Sequence, residues 1–144
     1  MTFMTDGRPW PRTLAEAWLF VRVVGLVALL RVLLPYVQIA KLLTCLAPKR
    51  IPTIARPQLL DKAVVYTDAF LWRFHFPLPG NCLPRSLVLY YFATRLGFAV
   101  QFCCGVQRSG ENLKGHAWLT RDGETFLEEG NPETQFVVTF SFPN

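Results

Sequence analysis

Hydrophobic side chains follow two rhythms along this chain. From Leu14 to Leu46 they are nearly continuous, interrupted by Arg22, Arg31 and Lys41, with Val23–Leu30 the longest clean central run. Thr13 is a helix-capping residue, and Glu16 three positions on completes a capping box, so a helix is expected to start there. Pro35 lacks an amide N–H and obstructs the preceding turn, which favours two helices broken near it. A membrane span needs about 18 or more nearly uncharged apolar residues, and the three cations deny it. The segment reads as a helical hairpin buried in the fold. Docking against a membrane surface or a partner is the competing reading.

Pro48, Pro52 and Pro57 mark a connector, after which Leu60, Ala63, Val64, Phe70, Leu71 and Phe74 give a helical face over residues 59–74. Phe76-Pro77-Leu78-Pro79-Gly80-Asn81 must be loop. A second core helix is expected over residues 82–96, closed by Gly97 where a left-handed cap is favoured. The rhythm then shortens to β-like runs at 98–106, 115–121, 125–128 and 136–142, with a plain turn at Ser109–Asn112. Helices first and strands last predict an α+β fold, an antiparallel sheet packed on a central helix. The expected division is an N-terminal helical region, 1–56, and a core, 57–144.

Composition narrows the class. With 51% hydrophobic and 17% charged residues, the 144-residue chain has one real core and is no solvated linker. The net charge of +5 is uneven: residues 1–56 hold eight Lys/Arg against two acids, the remainder seven against eight. That argues against nucleic acid along the C-terminal half and leaves an acidic partner or anionic surface open for the N-terminal half. Residues 1–12 read as a flexible entry without a signal-peptide pattern. Four irregularly spaced cysteines do not make a disulfide framework, so the expectation is a cytoplasmic protein with reduced thiols.

Candidate chemistry begins at Cys82. Asn81 is a suitable N-cap, placing Cys82 in the first helical turn, where unpaired amides and the helix dipole favour a thiolate. Pro84 is tolerated there. A lone cysteine is often an inert core residue, but a thiol nucleophile becomes credible once a base and an orienting acceptor are available. His116 opens the run Gly115-His116-Ala117-Trp118-Leu119, and Asp122-Gly123 just beyond signals a hairpin. A two-residue turn sets His116 opposite Glu129; a three-residue turn with a Gly bulge sets it opposite Glu128. Either carboxylate could fix the imidazole tautomer. Asp122, in the turn itself, is too far along the strand.

Asn81-Cys82-Leu83-Pro84-Arg85-Ser86-Leu87, then Gly97 to Gly105-Val106, then Gly115-His116-Ala117-Trp118-Leu119 with Asp122-Gly123, resemble the transglutaminase-like leader peptidases of lasso-peptide biosynthesis. The resemblance implies a papain/transglutaminase-like core preceded by an N-terminal helical region. It implies a Cys82 nucleophile, His116 as base and an acid twelve residues after the histidine, Glu128 first and Glu129 second. It further implies a cysteine peptidase that removes the leader from a ribosomally made precursor. The chain looks like the split form, working with a separate leader-recognition protein and a lasso cyclase, which would carry any ATP requirement. The hydrophobic approach to Cys82 and the Glu-Glu-Gly-Asn run depart from that pattern.

Other features have plainer readings. No Cys-x-x-Cys or His-Glu-x-x-His spacing supports a metal site built from Cys82, Cys103, Cys104, His75 and His116. No cofactor is expected. Cys103 and Cys104 read as small core residues, and His75 as structural. Trp118 is either a cleft wall or core. The Cys82 amide is the expected first oxyanion donor, with Asn81 and Trp72 as candidates for the second. A catalytically silent adaptor of the same fold is the alternative function, and acyl transfer to an amine is a third chemistry open to the same residues.

Overall fold

Leu19, Val23, Val27 and Leu30 recur every three or four residues and are buried, which makes one stripe of α1 (Leu14–Leu33) the first wall of the core. The computed structural model describes residues 10–74 and 80–144; Met1–Pro9 of the expected entry, His75 and positions 76–79 of the expected loop lie outside them. Thr13 Oγ1 accepts from the Glu16 N–H at 3.2 Å, as a cap should. The Glu16 carboxylate differs from the expected box: it accepts from the Arg12 N–H at 2.8 Å, one residue upstream of the cap, and also receives Lys62. The hydrogen bond from Lys62 is the main reason the Glu16 carboxyl titrates below its ordinary value.

The chain breaks at Pro35 as expected and resumes as α2 (Ile39–Leu46). The expected hairpin does not form as a packed pair. α1 packs mainly on α3 (Pro57–Arg73) and α4 (Cys82–Arg95), and α2 on α4. Nor is α1 buried all round. Leu14, Trp18, Val21, Leu29 and Val32 form a second apolar stripe on its outer face, with Leu14 92% and Trp18 65% exposed. Helix α3 starts two residues earlier than its apolar face implied, because Pro57 fits the first helical position, where no amide is needed. Among the described residues, no helix is long and apolar enough to cross a membrane.

Helix α4 is the centre. Leu87, Val88, Leu89, Tyr90, Phe92 and Ala93 are all buried, and the helix touches α1, α2, α3 and the sheet. It closes with the Phe98 N–H donating to Ala93 O at 2.9 Å around Gly97, which has φ +93°. A Cβ on Gly97 would lie 2.6 Å from Ile54 O, so the position needs glycine for both conformation and space.

Four strands follow: β1 (Gln101–Ser109), β2 (Asn112–Arg121), β3 (Glu124–Phe126) and β4 (Val137–Phe142). All neighbours are antiparallel, in the order β3-β2-β1-β4. β1 starts later than expected because Phe98 is spent on the helix cap. β1 and β2 run further because Ser109 and Asn112 pair directly across a tight turn. Phe102 pairs Leu119 and Cys104 pairs Ala117 on the core side, while Cys103 pairs Trp118 and Gly105 pairs His116 on the other. Cys103 and Cys104 thus point to opposite faces, and all four cysteines are free thiols. The protein is α+β, its central helix packed on an antiparallel sheet.

Gly97→Ala is expected to cost roughly 2 kcal/mol or more of unfolding free energy, through backbone strain plus the clash with Ile54 O. Urea denaturation reads this directly; an unchanged midpoint would contradict the role given to the cap.

Candidate active site

Cys82 is the first residue of α4, and what holds it there differs from the expected cap. Asn81 precedes the helix in αR conformation and makes no side-chain cap bond. Its Oδ1 instead accepts from Arg31 of α1 at 2.6 Å, and its Nδ2 reaches Leu71 O of α3 at 3.5 Å. The amides of Cys82 and Leu83 therefore lack both an intrahelical acceptor and a side-chain cap, and Pro84 has no amide to offer. Among the described residues, the first amides of α4, beside the Cys82 thiol, have no side-chain cap. Trp72, the other candidate donor, sits exposed on α3.

Ser86, one turn further along, donates from Oγ to Ala117 O at 2.9 Å. This buried bond fixes α4 against β2 at the residue next to His116. His116 Nε2 lies 2.7 Å from Glu128 Oε1, both side chains 23% exposed. In the tautomer with the proton on Nε2 the ring donates to this carboxylate, and its Nδ1 lone pair is left as the acceptor. The ring stacks on Trp118 at 5.9 Å between centroids and meets Phe136 at 5.2 Å. Trp118 is 1% exposed and does not line the cleft, which settles it as packing under the imidazole.

The route from the hairpin to Glu128 is not the one that ladder geometry implies. The turn has two residues, Asp122 (φ +53°) and Gly123 (φ +80°), with Arg121 paired to Glu124. Continued as a strand, that register would bring Glu129 opposite His116. Pairing stops at Leu119–Phe126 instead, and Leu127 takes φ +61°, a left-handed turn that swings Glu128 onto the histidine. Glu129 is exposed on the cleft rim and does not contact His116. Asp122 is exposed, with its carboxylate 3.8 Å from Arg121.

Arg85 holds that bend. Its guanidinium grips Asp68 of α3 through Nε (2.6 Å) and a second nitrogen (3.2 Å), and donates to Leu127 O at 2.9 Å. Arg31, Asp68, Arg85 and Ser86 were not marked as site residues by sequence reasoning. Each carried a weak signal as a polar residue inside a largely apolar helix.

A cleft of ≈ 840 Å³ runs between α3, the start of α4 and the β3 edge. Cys82, Asn81 and Arg85 line one part, Asp61, Val64 and Asp68 a second, and Thr125 to Gly130 a third. Burial raises the Asp61 carboxyl. Cys82 and Glu128 thus share a cleft, and Glu128 is bonded to His116. Among the described residues, Cys82 Sγ makes no hydrogen bond, to His116 or any other group. Cys104 is pushed up to about 11 by burial, then by repulsion from the Cys82 and Cys103 thiolates; Cys103 is raised chiefly by burial. Among the described residues, no group of three His, Cys, Asp or Glu side chains is placed to hold a metal ion.

The family profile described as the transglutaminase-like superfamily matches residues 20–141. The chain belongs to the transglutaminase-like superfamily. No curated protein and no solved structure matches it. The match runs from within α1 to the end of β4, so a member of this superfamily is formed here by the helices and the sheet together.

Cys103 and Cys104 should resist iodoacetamide at pH 8, since thiols titrating above the ordinary range hold little thiolate there. Peptide mapping after timed labelling checks this. Modification of Cys104 as fast as of the exposed Cys45 would contradict the buried environment assigned to it.

Proposed function

We propose that the protein is a cysteine peptidase that removes the leader from a ribosomally synthesised precursor of the lasso-peptide type. The observation that carries the reading is the His116–Glu128 bond, made beside a cleft that the helix-N-terminal Cys82 also lines. The superfamily includes cysteine proteases, which supports the same chemistry. In this reading Cys82 Sγ attacks the carbonyl at the leader's last residue while His116 takes the thiol proton. The tetrahedral oxyanion meets the open amide of Cys82. The C–N bond breaks, His116 returns the proton to the departing amine, and the leader remains as a thioester on Cys82. Water activated by His116 then hydrolyses the thioester. Glu128 orients the imidazole and stabilises its charged form. Thiol and imidazole contacts of this kind tighten on substrate binding.

The partners of this reading are a separate leader-recognition protein and a cyclase, and the setting is the cytoplasm. The exposed α1 stripe from Leu14 to Val32, in the half of the chain with the basic excess, is the surface assigned to them. Membrane-surface contact is the second candidate for that stripe. The same stripe favours the alternative function, an adaptor that binds through α1 without catalysis.

Cleavage of a candidate precursor, with and without the recognition protein, is read by mass spectrometry. Cys82→Ala and His116→Ala should each lower turnover roughly 10⁴-fold or more, and Glu128→Gln should cost about one to two orders of magnitude less. Glu129→Gln should remain near wild type. A folded Cys82→Ala protein that still cleaves refutes the nucleophile. No cleavage by the wild-type chain under either condition favours the adaptor, and efficient cleavage by the isolated chain refutes the partner requirement.

A further inference from the structure

β3 is the terminal strand of the sheet, and its outer edge borders the cleft that holds Cys82. In an antiparallel ladder, residues alternate between pairs that exchange both backbone hydrogen bonds and pairs that exchange none. A two-residue hairpin closes on a bonded pair, here Arg121–Glu124. Thr120–Thr125 is therefore a non-bonded pair, and the Thr125 N–H and C=O point away from β2, toward the cleft. The next backbone position with that outlook is Leu127, whose carbonyl is already taken by Arg85. Among the described residues one residue of open sheet edge remains, and Thr125 is half-buried within the cleft wall.

We propose that this edge is a substrate-binding strand: the Thr125 N–H and C=O pair with one residue of an extended peptide and so lead its scissile bond to Cys82. The proposal rests on the peptidase reading for its substrate, and it adds the backbone groups that position that substrate. Pairing of this kind recognises an extended main chain rather than a particular side chain, and the affinity comes from the two exchanged hydrogen bonds. The site accordingly selects unfolded peptide over folded protein. Thr125 on the β3 edge and Cys82 at the start of α4 line the same cleft. The paired substrate residue consequently falls among the few residues that flank the bond that is cut. The opposite wall, from Asp61 to Val65 of α3, confines the peptide to the strand edge.

The test replaces single backbone amides of the precursor by esters, one at a time, over four residues on each side of the cleavage site. An ester removes the N–H and weakens the carbonyl as an acceptor. The ester at the paired residue, which removes its N–H, and the ester at the following residue, which weakens the paired residue's carbonyl, should each raise KM by up to about five- to tenfold with kcat nearly unchanged, and esters at the other positions should not. Thr125→Pro removes the outward N–H without touching the β2 ladder, a placement that edge strands tolerate. It should raise KM by a similar factor and abolish the effect of the second ester, whose weakened carbonyl has then lost its donor, while the position-125 carbonyl, which proline keeps, preserves the effect of the first. Thr125→Val, which keeps both backbone groups, should keep both ester effects. A flat ester scan on the wild-type protein overturns the proposal even if Thr125→Pro fails to fold, and so does loss of both ester effects in Thr125→Val. Binding of the same labelled peptides to Cys82→Ala, followed by fluorescence anisotropy, separates the two readings. An ester-sensitive affinity without wild-type cleavage sinks the peptidase and keeps the strand; cleavage with ester-insensitive affinity does the reverse.

Discussion

The guanidinium of Arg85 joins α4, α3 and the chain leaving β3 at one point. It leaves α4 one turn after Cys82, grips the Asp68 carboxylate on α3 and donates to the carbonyl of Leu127. Leu127 is where the chain abandons β3 in a left-handed conformation that costs a β-carbon-bearing residue about 1–2 kcal/mol. That cost is sustained only because the surroundings hold the bend, and the bend carries Glu128 to His116. A lysine could supply the charge but not the planar fork that serves a carboxylate and a carbonyl together. The geometry of the candidate site therefore depends on one side chain that takes no chemical part in it.

A second constraint comes from α1. Its inner stripe completes the core around α4, and Arg31 in its last turn holds Asn81 at the start of the helix bearing Cys82. Its outer stripe remains exposed from Leu14 to Val32. One helix thus fixes the residue beside the thiol and presents a large apolar surface outside.

The elements with strong local signals were legible in the sequence: the break at Pro35, the Gly97 cap, the Asp122-Gly123 turn and the helix opening at Cys82. Misreadings arose where a tertiary contact overrode a local rule. Asn81 has the chemistry of an N-cap but bonds Arg31 instead, since a cation from α1 is a stronger partner than its own backbone. The apolar stretch over Leu14–Leu46 showed no polar side to reveal that α1 is buried on one stripe only. The acidic partner of His116 was legible through the twelve-residue spacing and the resemblance it carried. Strand register pointed to Glu129 for the turn that actually forms, because nothing local announces a left-handed leucine at position 127. The cleft wall contributed by α3 was invisible, being made by residues distant in the chain.

The central claim is that Cys82, His116 and Glu128 act as one unit although no hydrogen bond yet joins the thiol to the ring. The rate at which iodoacetamide modifies Cys82 at neutral pH, in a Cys45→Ser background, tests this without any assumed substrate. If His116 accepts the thiol proton, His116→Ala should slow that modification by about tenfold or more, and Glu128→Gln should slow it by a smaller factor. Equal rates in all three folded proteins would show that the thiol and the imidazole–carboxylate pair are independent, and would contradict the account.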